Sequence, residues 1–285
     1  MRAPPAPLRG FPPRGGDGAA GPAEPDPGRP RTGALCAARM GAWLRSRPPA
    51  PLRSFRPRWS VHCAGLWALL LAGCAPSGGD SWFPLVAGWS QTYEVRVESE
   101  EPRAPEAWTL RVGAPVAWDG ESLPVRHHSQ GVNYLFKVDE QGIRRVATRV
   151  DIDEEPTADK EPMWVLKAPY AVGTEWTTTT VPYLILRKNE HPRELRHSHR
   201  AVMTWRIEAV DETVETPKGR FSPCLKVVGR ASLNLYTDPV NGFTNVPLVS
   251  REWYCRGQGL VRFEREEKVP AGFLVGGSLT AEWVR

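Results

Sequence analysis

From Trp82 onward the chain alternates. Thr92–Ser99 sets Tyr93, Val95 and Val97 against Glu94, Arg96 and Glu98, a period of two that puts the apolar side chains on one face of a strand. Trp108, Leu110 and Val112 repeat the pattern, as do Tyr134, Phe136 and Val138. The loop Asp139-Glu140-Gln141-Gly142, with Gly at its left-handed position, predicts a hairpin into a return strand over Ile143–Val150. Met203, Trp205, Ile207 and Ala209 alternate against Thr204, Arg206 and Glu208. Further strands are expected at Tyr183–Arg187, Leu225–Val228, Ala231–Tyr236, Leu248–Tyr254, Leu260–Arg265 and Leu279–Trp283. Asp119-Gly120, Thr216-Pro217-Lys218-Gly219 and Asp238-Pro239-Val240-Asn241-Gly242 punctuate them. No stretch carries a helical stripe of 12 or more residues. Strand after strand with turn signals predicts an all-β domain: an antiparallel curled sheet, half-barrel or sandwich.

One echo runs through this pattern. Pro84 to Thr92 and Pro169 to Thr177 both read Pro-apolar-x-x-Gly-x-x-x-Thr and then run into an alternating strand. Two readings follow: a recurrent way of starting a strand, or two related halves of one sheet.

Upstream the pattern is different. Ala64–Gly73 is apolar but too short to span a bilayer, which needs about 20 residues. It has the length of a signal-peptide core, with Arg53, Arg56 and Arg58 before it and the small residues Ala72 and Gly73 at its end. Leu71-Ala72-Gly73-Cys74 resembles the lipobox of bacterial lipoproteins. That resemblance implies a diacylglycerol on the Cys74 thiol, cleavage before Cys74 and acylation of the new amino terminus. Two or more chains at about 0.8 kcal/mol per buried methylene would hold the protein stably on a membrane. The competing readings are an ordinary cleaved secretory leader and a buried core segment with an incidental Cys. Ala75 at the next position, where Asp would mark inner-membrane retention in enteric bacteria, points to the periplasmic face of the outer membrane. Ala75–Asp80 is a short Gly/Ser-containing tether.

The first 60 residues hold 11 Arg, no Lys and 3 acidic residues, crowded among Pro, Gly and Ala without hydrophobic period. Residues 74–285 hold 26 basic and 29 acidic residues. The net charge of +5 therefore comes from the leader and is no argument for nucleic acid. The expected organisation is a disordered or mis-started extension over 1–39, a signal peptide from Met40 over 40–73, a lipidated tether over 74–81 and a β-rich domain over 82–285.

Three motifs in that domain occur together. They are Trp82-Phe83-Pro84-Leu85-x-x-Gly88-x-x-x-Thr92-Tyr93, Thr216-Pro217-x-Gly219-x-Phe221-x-x-Cys224-Leu225-x-Val227, and Trp253-Tyr254-Cys255-x-Gly257-x-Gly259-Leu260-Val261. They resemble uncharacterised envelope lipoproteins related to the DUF3108 type, whose domains are curved antiparallel sheets. Gln91 stands where that group usually has Trp. The resemblance implies fold and location and brings no activity with it.

Cys36 and Cys63 fall in the leader, which leaves Cys224 and Cys255 besides Cys74. In an oxidising compartment those two are expected to form a disulfide, the alternative being two buried thiols. His127-His128 and His197-Ser198-His199 are the His clusters, but Arg193, Arg196 and Arg200 would repel a cation at the second. The acidic stretch Asp151, Asp153, Glu154, Glu155, Asp159 and Glu161 fits no calcium-ligand spacing and is expected to be a solvated loop. No metal or cofactor is expected. There is no His-Glu-x-x-His, Gly-x-Ser-x-Gly, Ser-x-x-Lys or P-loop. Nine Trp remain after Cys74, most of them at alternating positions that suit a core.

The first functional expectation is a non-enzymatic, membrane-anchored periplasmic lipoprotein, a binding or assembly module for an envelope protein. The second is a carrier or sensor of a hydrophobic ligand such as lipid. The third is an envelope hydrolase with distant paired carboxylates.

Overall fold

In a computed structural model the described residues are 80–285, less Pro102 and Ala271. The extension 1–39, the signal peptide 40–73 and the lipobox Cys74 lie outside the described residues, as does all of the tether 74–81 but its last two positions.

The strands are β1 (Ser90–Ser99), β2 (Glu106–Val112), β3 (Val116–Trp118), β4 (Glu121–Leu123), β5 (Val125–His128), β6 (Val132–Asp139), β7 (Gly142–Val150) and β8 (Thr157–Lys167). They continue as β9 (Glu175–Thr180), β10 (Leu186–Arg187), β11 (Ala201–Thr216), β12 (Gly219–Asp238), β13 (Gly242–Cys255), β14 (Gly259–Glu267), β15 (Leu274–Val275) and β16 (Gly277–Trp283). Twelve form one antiparallel sheet in the order β8-β7-β6-β5-β2-β1-β16-β14-β13-β12-β11-β9. The first and last strands pair at its middle, Tyr93 opposite Trp283 and Val97 opposite Leu279. The edge strands β8 and β9 follow one another in the chain and lie side by side, so the sheet curls into a nearly closed barrel. The two copies of the Pro…Gly…Thr echo lead into β1 and β9, the strands that open the two halves of the meander.

Alternation sorts side chains between the two faces of this wall. Trp108, Phe136, Trp205, Ile207, Val227 and Phe263 are buried inside. Phe83 closes in from the segment before β1, meeting Phe136 edge-on at 5.3 Å and Tyr254 at 6.2 Å between ring centroids. The outer face is charged. Across β1, β16, β14 and β13 runs a ladder Glu94–Arg96–Glu282–Arg262–Glu264–Arg251–Glu266, with separations from 2.6 to 3.9 Å. Each exposed pair contributes little to stability, but the row defines the surroundings. A membrane-spanning barrel is apolar outside and polar inside. This wall is the reverse, so its outer face belongs in water.

Several expectations are corrected. Tyr183–Arg187 is a strand only at Leu186–Arg187, because the backbone N–H groups of Tyr183, Leu184 and Ile185 donate to the Glu267 carboxylate rather than to a neighbouring strand. The strands expected at Leu225–Val228 and Ala231–Tyr236 are one, β12. Gly229 does not break it. A Cβ at Gly229 would stand 2.6 Å from the Trp205 ring and 2.7 Å from Met203 Sδ, so the residue makes room for core side chains. The acidic stretch is not a loop throughout: Asp159 and Glu161 lie in β8, and the Asp159 carboxylate accepts from Nε and Nη2 of the buried Arg145, each at 2.7 Å. β8 is an edge strand, and Pro162 sits in its bulge opposite β7, where a missing N–H does least harm.

Candidate functional site

Two regions hold chemistry that core packing does not account for: the buried polar groups inside the barrel and an arm that leaves it.

Inside, the charges are paired or hydrogen-bonded. Arg265 and Glu267 form an ion pair at 2.8 Å, with side chains 1% and 0% exposed. Arg265 also donates to Ser250 Oγ at 2.7 Å and lies 4.7 Å above the Tyr183 ring. Glu267 binds the three consecutive N–H groups of Tyr183–Ile185 at 2.8–3.3 Å, which draws that segment into one end of the barrel as a plug. Removing either member would strand a buried charge. At the other end, Arg126 donates to the Pro84 carbonyl at 2.9 Å and sits 3.8 Å over the Phe83 ring. Burial pulls its pKa down to about 10, against the raising influence of Tyr93 and Tyr254. Gln91, the position where the resembling group has Trp, is buried and donates to the carbonyls of Gln258 and Leu260. The Tyr93 hydroxyl donates to Leu260 as well, at 2.6 Å. These bonds fasten the start of β1 to the β13–β14 turn.

The predicted residues fall in separate places. Cys224 and Cys255 are directly opposite on β12 and β13 and are joined by a disulfide. His127 and His128 point to opposite faces of β5. His127 Nδ1 bonds to Asn133, whose amide donates to Asp151 at 2.8 Å. His128 is buried; its Nδ1 accepts the Gln130 N–H at 3.2 Å, and burial pushes its pKa down to about 4. His197 closes a 3₁₀ turn, and His199 lies against Ser198 Oγ at 2.8 Å. Among the described residues no group of three or more His, Cys, Asp and Glu is placed to hold a metal ion.

The arm is what the alternation pattern did not announce. β12 pairs with β11 no further than Arg230, and β13 pairs with β14 no further than Val249. Residues Ala231–Leu248 therefore project as a two-stranded ribbon. Its tip is fixed by Asp238, whose carboxylate accepts the N–H groups of Val240 (2.8 Å) and Asn241 (2.7 Å) and the Asn241 amide (2.7 Å). These bonds hold the Asp238 carboxyl below its ordinary pKa, the Asn241 amide most of all. One face of the ribbon, with Leu233, Leu235, Val246 and Leu248, is buried. The other carries the cross-strand pair Tyr236–Phe243, edge-to-face at 5.5 Å, and the hydrogen-bonded pair Asn234–Asn245. Phe243 is 70% exposed, Tyr236 47% and the neighbouring Phe273 45%. Between this ribbon and the loop from Arg187 to His199 lies a groove of about 480 Å³, floored by Leu195 and Leu274. Three large aromatics at the rim of one groove exceed the scatter of single apolar residues on an ordinary surface.

No protein-family model and no curated protein sequence matches the chain. Solved structures with similarity include a candidate lipoprotein of Parabacteroides distasonis, 14% identical, with a TM-score of 0.38 over 72% of this chain and 98% of that one. Another is a candidate exported protein of Bacteroides fragilis with a YmcC-like fold, 16% identical, with a TM-score of 0.33 over 72% of this chain and 98% of that one. Likeness at this level carries no functional information.

Proposed function

We propose that the chain is a non-enzymatic lipoprotein of the cell envelope, held by lipid on Cys74, whose barrel presents the arm and its groove to a protein partner. The observation that carries the reading is the exposed Tyr236–Phe243–Phe273 rim beside a buried, paired interior. An aromatic surface edged by hydrogen-bonding side chains is the usual make-up of an interface centre. The buried carboxylates support the non-enzymatic part. Glu267 is committed to Arg265 and three backbone N–H groups, and Glu252 accepts the Tyr254 hydroxyl at 2.6 Å. Large side chains meet across the barrel, which favours a partner at the surface over a lipid carried in the core. The lipobox pattern and the water-facing outer wall support a domain tethered beside a membrane rather than embedded in one.

The test is photo-crosslinking in cells from a reactive residue placed at Phe243, with Glu94 on the barrel wall as control. The expected result is one discrete protein adduct from Phe243 and none from Glu94. Equal labelling from both sites would sink the partner surface. Native mass spectrometry of the exported chain tells the carrier reading apart, because a co-purifying lipid mass would place hydrophobic cargo first. Replacement of Cys74 by Ser should release the protein from membranes, and unchanged fractionation would dispose of the anchor.

A further inference from the structure

The end of the barrel opposite the arm has a surface of its own. Ser81, the last residue of the expected tether, is fixed there: its carbonyl accepts the Gly257 N–H at 2.8 Å. The turns β11–β12 and β13–β14, the segment before β1 and the end of β16 all gather at this end. Three register shifts in the β11–β12 pairing bend that hairpin, and its turn meets the last strand through the Lys218 N–H to the Trp283 carbonyl, 3.1 Å.

The side chains on this end are cations set on aromatic rings. Arg256 lies 5.2 Å over the half-buried Trp82, and Lys218 lies 5.7 Å over Trp283. Arg220 and Arg285 are exposed beside them, and Val86 is 53% exposed. The acidic side chains of the same segments are Asp80, Glu215, which lies 3.8 Å from Arg220, and Glu282, which is met by Arg262 at 3.7 Å and Arg96 at 3.9 Å. Cations with aromatic and aliphatic groups at one level match the headgroup zone of a bilayer, where Trp settles and Lys or Arg meets anionic lipid.

We infer that this end of the barrel is a seat for an anionic lipid surface, made by Lys218, Arg220, Arg256 and Arg285 around Trp82. The inference rests on the anchor reading for its biological setting, since a tether of seven residues holds Ser81 within about 25 Å of a lipidated Cys74. Its consequence is orientation. The 14 residues of β13 run from the seat to the arm, a rise of about 45 Å, so the seated domain carries its groove away from the membrane that anchors it.

The test uses the exported chain with Cys74→Ser, purified without detergent and sedimented with vesicles of phosphatidylcholine alone or mixed with phosphatidylglycerol. Salt-sensitive pelleting with the anionic vesicles alone is the expected result. Lys218→Gln with Arg256→Gln should weaken partitioning roughly 25-fold, about fivefold per cation. Arg187→Gln with Arg200→Gln at the arm end should leave it unchanged. Pelleting with neither vesicle, with both equally, or lost through the arm-end pair instead would overturn the seat. The anchor fails by a different observation, the identical membrane fractionation of wild type and Cys74→Ser in cells.

Discussion

The two ends of the barrel are closed by different means. At the end where Ser81 bonds to Gly257, a disulfide, hydrogen bonds and one buried guanidinium do the work: the Cys224–Cys255 disulfide, the Gln91 and Tyr93 bonds to the β13–β14 turn, Arg126 on the Pro84 carbonyl, and the bent β11–β12 hairpin. At the arm end the closure is ionic, a segment held by one buried carboxylate that is itself held by one buried arginine. The first kind of closure is spread over several bonds. The second concentrates its stability in Glu267, and it leaves aromatic rings in water beside it.

The largest effect should come from the latch. Glu267→Ala strands Arg265 and three N–H groups and should cost about 3–5 kcal/mol, read from the urea midpoint. A loss below 1 kcal/mol would mean that the plug is held by packing and that the two ends differ less than described. Next is the disulfide. Its sequence separation of 31 gives about 3–4 kcal/mol on the chain-entropy account, so Cys224→Ser with Cys255→Ser should lower the midpoint and leave the arm-end contacts unaltered in hydrogen exchange. A loss of protection spreading to Tyr183–Ile185 would show that the ends are coupled.

A pH dependence comes third. His128 has its folded pKa depressed to about 4 by burial, against about 6.5 in the unfolded chain. Below pH 6.5 the unfolded chain binds the proton first, so stability is full above that value and falls progressively as pH drops toward 4, by about 2–3 kcal/mol in all. His128→Gln should flatten this slope, and an unchanged slope would assign the acid sensitivity to other groups. The smallest effect belongs to the arm: Phe243 is exposed, so Phe243→Ser should move stability by less than about 0.5 kcal/mol while abolishing the adduct formed from a reactive residue placed at Tyr236 instead. A large loss of stability would mean that the aromatic rim serves the fold.

The alternating strands were legible in the chain because each buries one face, and period two records that directly. The inward charges were not. Arg126, Arg145, Arg265 and Glu267 occupy core positions that a polar–apolar reading assigns to solvent; Arg265 and Glu267 pair with each other, but what Glu267 holds lies elsewhere in the chain, 84 residues away at Tyr183. The same blindness made Tyr183–Arg187 look like a strand and Asp159 look like part of a loop. The strands expected at Leu225–Val228 and Ala231–Tyr236 run together because Gly229 between them makes room for Trp205 rather than a turn. The arm was legible as strands and a turn, but not as an arm, since projection depends on where the neighbouring strands stop.

The pairing of β1 with β16 has a consequence for the order of synthesis. Within the twelve-stranded sheet of the described residues it is the one place where neighbours are far apart in the chain; the other ladders of that sheet follow the meander, and outside it β10 pairs with β15, Leu186 opposite Val275. A circular permutant that fuses the Arg285 end to Ser81 through a short linker and opens between Lys167 and Glu175 would run from β9 through β16 and β1 to β8 without a jump. Its contact order would be lower, and refolding should be faster by stopped-flow fluorescence. In the natural order, β1 must wait for β16 before its open edge is covered.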